Sequence, residues 1–177
     1  MILGMSLAAY TFLHVLISLV GIGAGLMVMY GFLGGKRLDG IAAIFLTTTA
    51  LTSISGFGFP FTRLLPSHIV GIISLVALAA AIVARFVFHL SRAWRSVYVI
   101  GSAIALYLNV FVLVVQLFEK VPALKALAPT QKEPPFIIAQ LGMMALFTVL
   151  TIFSKKRFGL EESRTAQEQS VSPPFPL

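Results

Sequence analysis

The sequence predicts an all-α integral membrane protein: a bundle of five membrane-crossing helices, N-terminus outside and C-terminus in the cytoplasm. Three observations carry that expectation. Hydrophobic residues make up 58% of the 177 and charged residues 11%, with a mean hydropathy of +0.98, outside the range of soluble domains. The apolar residues fall into five runs, each long enough to cross a hydrocarbon core about 30 Å thick, which takes about 20 helical residues. The basic residues stand in short clusters between those runs, where they orient helices. They form no stripe with interleaved aromatics, so the net charge of +7 does not point to nucleic acid as a partner; the bilayer is the partner expected. Zero cysteines exclude disulfides, thiolate catalysis and thiolate-bound metal, and leave the redox compartment open.

The first run, about 6–33, has no basic n-region, is too long for a signal-peptide core and is followed by Lys36 and Arg37, so it reads as a retained anchor. In "GIGAG", Gly21 and Gly25 lie one turn apart, the spacing that lets helix backbones approach, either within the chain or in a homo-oligomer. "GGKRLDG" closes this run. The second, about 40–61, repeats Thr48, Thr52 and Ser55 at helical spacing; such hydroxyls can bond back to their own helix. Gly56, Gly58 and Pro60 soften its end. The third, about 67–90, starts after Pro66 and carries small pairs at Ala77/Ala81 and Ala80/Ala84. The fourth, about 94–119, begins among Trp94 and Tyr98, an interfacial aromatic pair. Then "EKVPALKALAPTQKEPPF" at 119–136 suits a short interfacial helix at Val121 to Leu127 and is long enough to act as a lid. The fifth run, about 135–154, leads through the end of the membrane domain at 158 to a polar, Pro-bearing tail, 159–177, expected to be disordered.

Counting charges by side fixes the orientation. Five crossings put Lys36, Arg37, Arg85, Arg92, Arg95, Lys155, Lys156, Arg157 and Arg164 on one side and only Arg63, Lys120, Lys125 and Lys132 on the other. The richer side is cytoplasmic.

Polar residues inside the runs are the candidates for function, since an unpaired amide in hydrocarbon costs several kcal/mol. Asn109 and Gln116, nearly two turns apart, share a face of the fourth run, which should point into the bundle. At 1.5 Å per residue, Thr52 and Asn109 come near the middle, His14, Ser55 and Gln140 several Å outward, and Gln116 and His68 nearer the outer surface. These seven form the candidate ligand-binding set, in the outer half of the membrane. His14 leads it as an ionisable group at depth. The bland alternative is a packing histidine bonded to Gln140 or Thr52, with the amides as interhelical glue. A faint repeat, "HVLISLV" at 14–20 and "HIVGIISLV" at 68–76, hints at duplicated helix pairs.

The classes of function then separate by chemistry. Haem b needs two facing axial ligands; His14 and His68 are the histidines on one side, His89 ending the same helix as His68 about 30 Å away. One haem is geometrically allowed. A transporter usually carries an intramembrane carboxylate, whereas Asp39 and Glu119 sit at helix ends, leaving His14 as the proton carrier. No H-E-x-x-H, carboxylate pair or metal set marks an enzyme, and catalytic and metal residues are none. A quinone or lipid head group could still take hydrogen bonds from His14, Gln116 and Gln140. A non-catalytic accessory subunit, scaffold or binder of a small lipophilic ligand is the leading expectation, with transport and a haem or quinone redox role as alternatives.

The stretch "LYLNVFVLVVQLFEKVPALKALAPTQKEPPF", residues 106–136, together with "GKRLDG" and "SGFGFPF", resembles a family of small multi-pass bacterial membrane proteins described only as hypothetical. The resemblance spans most of 12–157 and implies a bacterial inner-membrane setting. It implies no activity, cofactor or site residue.

Overall fold

A computed structural model describes residues 4–60, 66–91 and 93–171. The fold is all-helical: α1 (Leu7–Leu33), α2 (Asp39–Gly56), α3 (Pro66–Ile82) continued by a π-helical turn (Val83–Val87), α4 (Ala93–Lys120), α5 (Pro122–Leu127) and α6 (Pro134–Val171). Four segments, Leu7–Leu33, Ser67–Val87, Ala93–Lys120 and Pro134–Gly159, are long and apolar enough to cross a membrane.

Local chemistry sets the boundaries. Ser6 caps α1 by accepting the Ala9 N–H at 3.2 Å. At its far end the chain leaves through Gly35, whose φ of +68° suits a residue without a Cβ. Asp39 places a carboxylate in the first turn of α2, at the positive end of the helix dipole. Pro122 opens α5 where a missing N–H costs nothing.

Three boundaries differ from the sequence expectation. The second helix stops at Gly56 and not near 61: the Phe57 and Gly58 N–H groups turn back onto Ile54 and Ser55 carbonyls, and Gly58 lies so close to the Tyr10 hydroxyl that a Cβ would collide with it. The third winds out through the π-turn and ends at Val87, before the expected 90. His89 and Leu90 take left-handed conformations, φ 47° and 58°, and the Leu90 N–H reaches back to the Ala84 carbonyl at 2.9 Å. This reversal buries the Leu90 side chain and stacks Phe88 on Trp94 at 3.8 Å. The last helix runs on through Val171, so the polar tail is helical over most of its length and not irregular. The short helix in the long loop stands where it was expected.

The helices pack as a bundle in which α1 and α2 lie antiparallel along their whole length. Contacts run from Gly31 against Leu38, through Gly25 against Phe45 and Gly21 against Thr48 and Thr49, to Tyr10 against Ser55. The glycine face proposed for a second copy is therefore filled by α2 and α4 of the same chain. Beyond α2 come α3 and then α4, with α6 against α4 and α1. Gly101 meets the backbone of Ala77 and the Ala81 methyl, so the alanine seam holds α3 to α4. Phe45, Leu78, Ala81, Ala84, Ala105 and Leu106 form the fully buried centre.

Candidate functional site

Polar side chains converge at the end of the bundle where α1 begins, beside Ser55. The imidazole of His14 is half-buried, with Nδ1 2.8 Å from the Ser55 hydroxyl and its ring edge-on to Phe59 at 5.2 Å. Ser55 Oγ donates to the Thr52 carbonyl at 3.2 Å, which leaves its lone pairs to accept from His14 Nδ1 in the tautomer that carries its proton there. The Tyr10 hydroxyl donates to the Ser55 carbonyl at 2.7 Å, capping the loose end of α2. Thr52 bonds back to the Thr48 carbonyl at 2.9 Å.

Inward of His14 lies a cavity of about 90 Å³ between α1, α2, α3 and α4. His14 and Ser18 line it from α1, Thr52 and Ser53 from α2, Ser67 and Ser74 from α3, and Asn109 from α4. Ser53 donates to Ser74 at 3.1 Å across α2 and α3. Asn109 Nδ2 points to Thr49 Oγ1 at 3.4 Å, a long bond at the edge of hydrogen-bonding range. One turn beyond Ser74 and Asn109, Leu78 and Ala105, with Leu106, are each at most 1% exposed. The cleft is lined by hydroxyls, one amide and one imidazole interspersed with Val70, Leu108 and Val112, and by no carboxylate among the described residues.

Of the seven candidates, the structure brings His14, Thr52, Ser55 and Asn109 together. His68 is buried beside them in sequence terms only: its ring packs on Phe57 at 5.4 Å and does not line the cleft. Gln140 of α6 bonds from Nε2 to the Phe111 carbonyl of α4 at 3.2 Å, and its Oε1 is buried with no hydrogen-bond partner among the described residues. Gln116 is exposed, against the expectation that it faces the bundle with Asn109. It stands one turn before Lys120, where head-group water can satisfy an amide, so no helix partner is needed.

Ser18, Ser53 and Ser74 are site residues that sequence reasoning passed over. Ser18 follows His14 by one turn, and Ser18 and Ser74 are the serines of the two "ISLV" repeats, which face one cavity from α1 and α3. Arg85 was counted only as a topology marker. It is 8% exposed within the π-turn, donating to Asp39 Oδ1 at 2.5 Å and to Tyr98 Oη at 2.7 Å, and it ties α2, α3 and α4 at the opposite end. A π-turn re-aims a side chain that a straight α-helix would direct elsewhere, which periodicity does not foresee.

No group of three or more His, Asp or Glu able to hold a metal exists among the described residues. A haem or quinone ring does not fit: small-molecule pockets run to about 300–1,000 Å³, and the cleft holds His14 without His68. No family model, curated protein or solved structure matches this chain.

Proposed function

We propose that this chain is a non-catalytic, five-span protein of a bacterial inner membrane, N-terminus outside, whose outer-half cleft takes the polar end of a small lipophilic molecule. The observation that carries the reading is the convergence of seven polar side chains from four helices on one small cleft, while the core beneath it is dry. A hydrogen-bonding group entering from the His14 end finds donors and acceptors that lipid cannot supply. The close packing of Leu78, Ala105 and Leu106, one turn farther along the helices, supports a binding cleft over a path through the membrane. Five crossings are supported by α2 lying against α1 from Leu38 to Ser55, so that α2 traverses whatever α1 traverses. The orientation rests on the cluster of basic residues at the Arg85 end.

The test is mass spectrometry of organic extracts from detergent-purified wild type and from Ser74→Leu, which fills the cleft. A polar-headed molecule is expected to co-purify with wild type and to be missing from the variant. Equal content in both would refute the reading. A reporter fused to the C-terminus is expected to be active only in the cytoplasm.

A further inference from the structure

We propose a second site, independent of the cleft: the groove between α4 and α6 seats an acyl chain of one anionic phospholipid whose head group is held by Lys155 and Lys156. The groove measures about 400 Å³. Ala103 makes its floor, with Ile100 and Ile104 as one wall and Ile152 as part of the other. Thr148 and Thr151 look polar in the sequence, yet their hydroxyls donate to the Met144 and Phe147 carbonyls of their own helix at 2.8 and 2.6 Å. With those donors spent on their own helix, the threonines offer the slot no free hydroxyl proton. The slot is thus recessed and apolar, at a depth where acyl chains are the solvent.

Charge at one end selects the lipid. Because α4 and α6 are antiparallel, Tyr107 pairs with Phe147 at the inner end of the groove, and Ile100 and Ile152 mark the end toward Tyr98 and Phe158. Lys155 lies one turn beyond Thr151 and Lys156 one turn beyond Ile152, so the lined face of α6 runs directly into two exposed basic residues. A basic pair at the head-group level, next to an apolar slot, matches an anionic lipid. A second copy suits this face poorly, because a two-fold axis along the membrane normal would set each lysine pair against its own duplicate. Free phosphate finds nothing to bind in the slot itself.

The test is native mass spectrometry of the full chain released from detergent, titrated with phosphatidylglycerol, with phosphatidylcholine of identical chains, and with inorganic phosphate. One phosphatidylglycerol per chain is expected. Its binding weakens about 30-fold in the double variant Lys155→Gln/Lys156→Gln, taking each lysine at its usual strength near a membrane surface, while phosphatidylcholine binding does not change. Thr151→Leu, and Ala103→Phe where it folds, lower the binding of both lipids by narrowing the slot. Undiminished phosphatidylglycerol binding in the lysine variant, or in Thr151→Leu, overturns the proposal. So does displacement of the lipid by phosphate, or a lipid-free dimer that Thr151→Leu dissolves.

Discussion

Adding one methyl group at Gly25 should destabilise this bundle, and adding one at Gly23, half a turn away, should not. A Cβ built on Gly25 falls 2.6 Å from Leu106 Cδ1 and 2.8 Å from both Phe45 Cδ2 and Cε2. Carbon atoms in contact prefer about 3.5–4.0 Å, so the overlap is roughly 0.7–1.4 Å. Phe45 and Leu106 are each 1% exposed, so neither ring nor isobutyl group has an empty place to move into. Overpacking of this kind costs about 1–3 kcal/mol. Alanine is also favoured over glycine within a helix by about 0.5–1 kcal/mol, which offsets part of the loss. Gly23 has nothing within 4 Å of an added Cβ and takes the helical gain alone. The difference between Gly25→Ala and Gly23→Ala therefore isolates the clash, at roughly 1–3 kcal/mol. Gly21→Ala, whose Cβ would meet the Thr48 hydroxyl at 3.0 Å, should fall between them. The assay is reversible unfolding in mixed micelles of increasing sodium dodecyl sulfate, followed by helicity. Equal stability of the position 23 and 25 variants would mean that α1 does not press its glycines on α2 and α4, and a change in oligomeric state without loss of stability would assign the face to a second copy.

Three further outcomes follow from the polar contacts. Asp39→Asn should cost about 1–2 kcal/mol in the same unfolding assay: breaking a fully buried pair costs about 3–5 kcal/mol, but the Asp39 carboxylate is 66% exposed and the loss is discounted for solvent. A double-mutant cycle of Asn109→Ala with Thr49→Val should give a coupling of about 0.6 kcal/mol, the usual interhelical value, since the bond is long; zero coupling would show that Asn109 serves the cleft and not the packing. At Glu133 desolvation, the largest single influence, pushes the carboxyl pKa up, but bonds from Thr130 Oγ1 and from the Thr130, Lys132 and Glu133 N–H groups together outweigh it and hold it below its usual 4.5. The turn before α6 is then supported fully above pH 4.5 and released as pH falls through the lowered value, so the protection of the Thr130 and Lys132 amides, measured against their intrinsic exchange rates at each pH, should fall in acid in wild type and show no such change in Glu133→Gln.

Hydropathy and punctuation made the helices legible because lipid imposes a composition on whatever it touches. The short helix at Pro122–Leu127 could be read because a proline opens it, with Lys120 just before it and Lys125 in its last turn to hold it at the head groups. Depth could also be read: counting residues from a helix end put His14, Ser55, Thr52 and Asn109 at neighbouring levels, and they meet. Azimuth could not. Gln116 and Asn109 share a face by spacing, yet Asn109 is in the bundle and Gln116 is exposed; near the end of α4 the buried side chain is Phe118, packed on Phe136 at 5.3 Å. Serine is the other blind spot. Ser18, Ser53 and Ser74 are small enough to read as packing residues in an apolar alphabet, and only the antiparallel register of α1, α2 and α3 shows their hydroxyls turned to one space. The π-turn that buries Arg85 is invisible to any period of 3.6.

Helix α2 is the crossing of the proposed five-span topology that mean hydropathy alone would leave out. Its 18 residues rise about 27 Å at 1.5 Å per residue, close to a hydrocarbon thickness, yet it is not among the four segments apolar enough by composition. The polar residues that lower its average are largely turned inward: Thr49, Thr52 and Ser53 are buried against α1, α3 and α4, while Ile44, Leu51 and Ile54 are about half exposed, with Thr47 the exposed exception. Lipid meets a face and not an average. A helix that carries its hydroxyls on the protein side presents lipid with a largely aliphatic surface and brings to the interior the donors and acceptors that leucine-rich neighbours lack. The same hydroxyls that lower the mean hydropathy of α2 line the cleft, so in the proposed topology span and site would be one feature of a single helix. A polar substitution on its outer face, Leu51→Asn, should therefore impair insertion, whereas Ser53→Ala on its inner face should leave insertion intact and empty one wall of the cleft of its hydrogen bond to Ser74.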